Sequence, residues 1–315
     1  MKYQEARDRA GYQPKNRRNA RRPEKIIEGM LLLSALAAII VVLLISAFIF
    51  KEGAPVLAKV GVRDFILGQK WAPTEGAFGI LPMIVGSLLV TFGALILGVP
   101  LGIACAIFLA EIAPPRVARL VRPVIELLAG IPSVVYGFFG LVVLVPLIRD
   151  YLGGAGFSIL AGSVILAVMI LPTVINISED AIRAVPKEYK EGSLALGTTH
   201  GQTIGSVILP AARSGIIAAV VLGMGRAIGE TMAVIMVTGN ATRLPGADLP
   251  NGLLKPLQML LEPVRTLTSN VALEMGYASG EHTQALFATG IVLFVMIMLL
   301  SILAGWAARG QVSRR

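Results

Sequence analysis

The sequence predicts an all-α, polytopic membrane protein, a bundle of about six transmembrane helices. Three observations predict it. Apolar residues make up 55% of the 315 and charged residues 15%, against roughly 45–50% and about 25% in soluble domains. Mean hydropathy is +0.77, and the few charges leave uncharged runs as long as the ~20 residues that a helix needs to cross a ~30 Å hydrocarbon layer. These runs do not alternate apolar with polar residues, as barrel strands of ~10 residues would.

In chain order, residues 1–25 are polar and basic with little periodicity, which predicts a disordered tail. The first span is 30–50. Its 21 residues, apolar but for Ser34 and Ser46, exceed the ~7–15 of a signal-peptide core, and no small-residue cleavage site is clear, so it reads as a retained helix. Residues 51–79 form a long outer segment with Trp71 and Pro73. A segment of that length usually has a function, although Trp71 also suits interfacial packing. The next spans are 76–110, 127–148 and 151–178. A further candidate, 214–242, is apolar except for Arg226 and Glu230 in its middle. A second long outer segment, 243–282, leads to the last span, 283–308. The implied layout is a basic tail at 1–25, a first helix with its outer segment at 26–83, a membrane core at 84–306 and a C-terminal tail at 307–315.

Pro82, Pro100, Pro132, Pro146 and Pro172 lie within apolar runs, which is tolerated where neighbours or water satisfy the freed backbone. Gly98 with Gly102, and Gly225 with Gly229, have the spacing that permits close helix contact.

Lys and Arg favour cytoplasmic loops. Nine of them precede residue 26, so the N-terminus is expected inside, and six crossings return Arg309, Arg314 and Arg315 to the same side. On this topology nineteen of the 28 Lys and Arg lie inside, eight lie outside, and Arg226 is left in the membrane. The net charge of +9 therefore reads as topology and contact with anionic lipid, with no nucleic-acid partner required. Cys105, the single cysteine, lies in an apolar run and reads as a small buried hydrophobe. His200 and His282 have no ligand cluster at metal spacing, so no metal site is expected.

The longest inner loop carries the most specific signal. Glu191-Gly192-Ser193-Leu194-Ala195-Leu196-Gly197 is followed, after nine residues, by Val207-Ile208-Leu209-Pro210. Glu191 is expected near the start of a short helix, where a carboxylate is favourable. Gly197 permits a sharp turn, and Pro210 can open the next helix. The spacing resembles the cytoplasmic loop signature of ABC importer permeases: Glu-Ala-Ala, three residues, Gly, nine residues, Ile-x-Leu-Pro. Gly192, Ser193 and Val207 depart from its commonest residues. The resemblance implies the type I importer permease fold and a coupling helix, with Glu191, Gly192, Ser193, Gly197, Leu209 and Pro210, that docks on an ATPase subunit.

No G-x-x-x-x-G-K-[ST] occurs, so the chain is not expected to hold ATP itself. The glycines at 223, 225 and 229 superficially suggest a dinucleotide fingerprint, but the last spacing is one residue too long and no strand precedes them. In Gly225-Arg226-Ala227-Ile228-Gly229-Glu230-Thr231 the two charges stand four apart, so on a continuous helix they share a face and can pair. Charges within a membrane span mark function by default; a structural ion pair is the competing reading.

Together with the run from Glu126-Leu127-Leu128-Ala129-Gly130-Ile131-Pro132 to Phe138, and with Trp71-Ala72-Pro73 and Phe78-Gly79-Ile80-Leu81-Pro82, this motif resembles the permeases of the bacterial phosphate-specific ABC transporter, the C-type of its two. The resemblance covers about residues 25–308. It implies a multi-pass inner-membrane subunit that is no enzyme and binds no cofactor, with ATP hydrolysed by a partner. The partners it implies are a second, related permease, an ATP-binding subunit dimer and an external phosphate-binding protein, with Arg226 and Glu230 in the substrate pathway. Sulfate or molybdate import is the nearest alternative. An ion-gradient transporter would not explain 191–210, and a membrane enzyme would need a cluster of nucleophile and base.

Overall fold

The computed structural model of the protein describes residues 17–247 and 255–309. The first sixteen residues of the expected disordered tail, the loop at 248–254 and the final residues 310–315 lie outside the described residues. Six helical stretches among the described residues are long and apolar enough to cross a membrane: Ile27–Val60, Leu81–Ile112, Ser133–Leu152, Ile159–Arg183, His200–Gly229 and Glu281–Trp306. The all-α, six-helix expectation therefore holds, with shifted boundaries.

Helix α1 (Arg17–Val60) begins within the segment expected to be disordered. The described residues divide into two compact units, one ending at Lys51 and the other starting at Glu52. The first is most of α1.

After α1 come a short helix α2 (Val62–Leu67) and a two-stranded antiparallel hairpin, β1 (Trp71–Ala72) and β2 (Ala77–Phe78). This outer segment is not an interfacial flap. Phe65, Trp71, Phe78 and Ile80 are buried with Leu267, Ala285 and Leu286 in one apolar cluster. Trp71 thus serves the interior, where its indole N–H also finds a carboxylate, at Glu274 Oε2, 2.9 Å away.

Helix α3 (Leu81–Ile107) ends in a widened π turn, Phe108–Ile112. Helix α4 (Pro115–Gly130) follows, where the sequence suggested a loop. It stops at Ile131 because the residue before a proline is pushed out of the helical region; Ile131 has ψ 127°. The third span is α5 (Ser133–Phe139), a π turn at Gly140–Leu144 and α6 (Val145–Leu152). Helix α7 (Ile159–Arg183) starts where Ser158 accepts the Ala161 N–H.

Helix α7 is the axis of the core, lying between α3 and α10 (Leu209–Gly229). Glycines set the approach. A Cβ at Gly98 would fall 3.0 Å from the Ala167 carbonyl oxygen, and one at Gly102 would fall 2.8 Å from Val174 Cγ1. The first glycine pair therefore works as its spacing suggested. A Cβ at Gly225 or Gly229 would meet nothing within 4 Å, so that pair is not used for packing within the chain.

Between α7 and α10 lie α8 (Lys187–Ala195) and a single turn, α9 (His200–Thr203). Beyond α10 come α11 (Met232–Val237), α12 (Lys255–Met259), α13 (Leu267–Glu274) and the last span, α14 (Glu281–Arg309).

Candidate functional site

Arg226 and Glu230 do not form the expected pair. Helix α10 ends at Gly229, Glu230 is extended (φ −70°, ψ 134°), and Thr231 (φ −120°, ψ −59°) precedes the restart at Met232. The i,i+4 argument required an unbroken helix, and the glycine-rich stretch that ends here supplies none. Glu230 Oε1 instead accepts the N–H of Ala233 at 3.2 Å, capping α11. Its own carbonyl accepts from Thr268 Oγ1 on α13 at 3.0 Å. Arg226 turns toward α7, where Nη1 donates to Thr173 Oγ1 at 3.3 Å.

A guanidinium has five N–H donors and no acceptor. Among the described residues Arg226 forms no ion pair, and its one hydrogen bond is the long contact to Thr173. The side chain is partly exposed, near the end of a helical stretch long and apolar enough to cross a membrane, where an unpaired charge would be costly in hydrocarbon. Its remaining donors are therefore open to a ligand or water. Thr173 was not singled out by the sequence. It is far from Arg226 along the chain, and only the antiparallel packing of α7 on α10 brings the two together.

On the other side of the bundle, the 191–210 segment folds as two short helices around a tight turn. Pro186 (ψ 138°) fixes the start of α8 at Lys187, so Glu188 occupies the first turn and Glu191 sits mid-helix, not near its start. Glu191 and Gly192 are exposed, while Ser193 is buried. Ser193 Oγ lies 2.8 Å from Thr198 Oγ1 and 3.1 Å from Thr203 Oγ1, stitching α8 to α9. Gly197 has φ +85°, the left-handed turn that its type suggested.

Thr199 and Gln202 form a capping box, so the helical path starts at His200 and runs through a π turn at Ile204–Ile208 into α10. Pro210 therefore lies just inside a continuing helical path and does not open a new one. Leu209 packs with the small apolar cluster of Ala106, Ile182, Ile204, Ile208 and Ala212.

The structure thus separates the expected coupling residues. Glu191 and Gly192 are on the surface, Ser193 and Gly197 shape it, and Leu209 and Pro210 seat α10 beneath it. Sequence reasoning gave no role to the exposed Tyr189, Leu194 and Leu196, large apolar side chains on the surface of this segment. It also missed Glu111, which accepts from Lys190 Nζ at 2.6 Å and has His200 Nε2 3.5 Å away, tying α8 to the end of the second span.

The profile of the family described as "Binding-protein-dependent transport system inner membrane component" matches residues 98–313. The "Probable ABC transporter permease protein YqgH" of Bacillus subtilis is 43% identical over 287 residues, covering 88% of this chain and 89% of that protein. The "Phosphate transport system permease protein PstC" of Xylella fastidiosa is 34% identical over 296 residues, 87% of each. Among solved structures, a bacterial ABC transporter involved in importing the acidic polysaccharide alginate aligns with TM-score 0.59 at 18% identity, covering 92% of this chain and 98% of that one. The MetNI methionine ABC transporter in an inward-facing conformation aligns with TM-score 0.54 at 19% identity, over 76% and 99%. At these identities the structures speak for the fold alone.

Proposed function

From the premise that this chain belongs to the family of binding-protein-dependent transport system inner membrane components, we propose that it is the permease subunit through which an ATP-driven importer passes inorganic phosphate. The observation that carries the substrate is Arg226, a guanidinium within a membrane span with no carboxylate partner among the described residues. Such a group offers a planar fork of donors to the oxygens of a tetrahedral anion. The names of the Xylella and Mesorhizobium relatives, phosphate permeases at 34% identity over most of the chain, support the same reading.

The chain moves the anion and leaves ATP hydrolysis to a separate pair of subunits, since its sequence holds no phosphate-cradling loop. The surface of α8, with Glu191, Gly192 and the neighbouring Leu196, meets that ATPase. A second, related permease completes the pathway, and a phosphate-binding protein delivers from outside. The distribution of Lys and Arg supports a cytoplasmic location for both termini. Tags at the termini should then resist external protease while one beside Asp64 is cut; an external C-terminus would reverse this topology.

The decisive experiment is ATPase activity of the reconstituted complex with its binding protein, offered phosphate, sulfate or molybdate. Phosphate should stimulate turnover and the other two should not. Stimulation by sulfate or molybdate alone would reassign the substrate.

A further inference from the structure

Helix α7 has two partly open stripes of opposite character. Leu160, Val164, Val168 and Leu171 are half-buried and apolar. Thr173 is half-buried, and Asn176 and Asp180 are exposed. At about 100° per residue, the polar three fall together on the side of the helix opposite the apolar four. The apolar stripe suits lipid or an apolar neighbour. The polar stripe does not, because an unpaired carboxamide or carboxylate is costly in hydrocarbon. The side chains of Asn176 and Asp180 have no hydrogen-bond or ion-pair partner among the described residues.

The stripe is continuous at both ends with something charged. At one end, Thr173 Oγ1 receives the hydrogen bond from Arg226. At the other, Asn176 and Asp180 open into a cavity of 340 Å³ whose remaining walls are Arg122, Glu126, Glu179 and Arg183. Glu179 Oε1 accepts from both arginines, from Arg122 Nε at 3.1 Å and Arg183 Nε at 2.8 Å. Two guanidinium groups thus face three carboxylates. From Arg226 onward the lining passes from cationic, through neutral, to slightly anionic.

We propose that this stripe is the wall of the anion's path from Arg226 to the cytoplasmic side, and that Asn176 is the oxyanion's next contact, about one helical turn beyond Thr173. This rests on the phosphate-permease reading given above. A carboxamide donates through Nδ2 to a phosphate oxygen and accepts through Oδ1 from a protonated one. Being neutral, it hands the anion on without trapping it. The surplus of carboxylates in the cavity below favours release over retention.

The test uses the assembled transporter in inside-out membrane vesicles, with Cys105→Ala as background and single cysteines at Asn176, Asp180 or, on the opposite stripe, Val168. A membrane-impermeant sulfonate methanethiosulfonate should label Asn176→Cys and Asp180→Cys at least about tenfold faster than Val168→Cys, since only water-exposed thiols ionise readily. Inorganic phosphate should slow labelling of Asn176→Cys. In the natural background, Asn176→Leu should lower phosphate uptake about tenfold at unchanged membrane abundance, with Asn176→Gln partly active. Labelling of Asn176→Cys no faster than of Val168→Cys, or its burial against the second permease, would overturn the proposal, as would full uptake by Asn176→Leu. Uptake by the natural chain separates the two readings. If it carries phosphate while Asn176→Cys stays silent, the wall is wrong. If it carries only another oxyanion, which itself protects Asn176→Cys, the wall stands and the substrate is wrong.

Discussion

Arg226 and Glu230 stand four residues apart, and only a continuous helix would set them on one face. Two charges inside an apolar run are visible in the sequence; the break between them is not. Glycines abound in membrane helices, and nothing local says that Glu230 will be extended (ψ 134°). The consequence is testable at the same two residues. Arg226→Ala should abolish uptake while the protein remains in the membrane, since charge-assisted contacts worth roughly 1.5–3 kcal/mol each are lost. Arg226→Lys should recover only part, because the fork geometry is gone. Exchanging the charges, Arg226→Glu with Glu230→Arg, should restore nothing beyond the single Arg226→Glu chain. Recovery by the exchange would mean that the two side chains do pair. Glu230→Gln keeps an acceptor for the Ala233 N–H and should be milder than Glu230→Ala, which removes a cap worth about 1 kcal/mol. Uptake measured beside membrane abundance resolves all of these.

At the scale of the element, the segment of α8 and α9 was legible because its constraint is local. A glycine at 197 and a proline at 210 act on the backbone wherever the chain goes, and Gly197 does adopt φ +85°. The details set by neighbours were not legible. Pro186 moved the helix start, and the Thr199–Gln202 capping box began the next helical path before Pro210 was reached. No side chain of this chain crowds Gly197, since a Cβ there would meet nothing within 4 Å. Within the chain, the effect of substitution is therefore backbone strain, about 1–2 kcal/mol for an ordinary residue held at positive φ. Gly197→Val should reshape the exposed face of α8, so that ATP hydrolysis by the complex continues but phosphate uptake falls severalfold or more. Gly197→Asn, which tolerates the left-handed region, should stay close to the natural protein. Equal uptake by Gly197→Val and Gly197→Asn would show that the turn has no part in coupling.

Across the whole molecule, the spans were legible from hydropathy, but what fastens the outer segments was not, because its members are scattered along the chain. Glu274, at the end of α13, is buried and collects three donors: the indole of Trp71 at 2.9 Å, the guanidinium of Arg265 at 2.5 Å and the ring of His282 at 2.8 Å. Arg265 also donates to the carbonyl of Asn240 and to Asn270 Oδ1. The network ties the first outer segment, the loop after α11 and the start of α14 to one short helix. That helix also carries Thr268, which holds the Glu230 carbonyl at the helix break, and is anchored to α3 where the Leu267 N–H donates to Ser87 Oγ. Removing one partner of a buried ion pair costs about 3–5 kcal/mol. Glu274→Ala should fall toward the lower end, since Arg265 keeps two acceptors. Trp71→Phe loses one neutral-donor hydrogen bond to a carboxylate and should cost less, about 1.5–3 kcal/mol. Thermal unfolding of the solubilised complex should therefore rank Glu274→Ala below Trp71→Phe, and both below the natural chain. Because α13 rests on the break beside Arg226, Glu274→Ala should also lower phosphate uptake per molecule at a temperature where it is still folded. A chain with Glu274→Ala that melts and transports like the natural one would show that α13 is held by its apolar contacts alone, and that the network at Glu274 fastens nothing that the pathway needs.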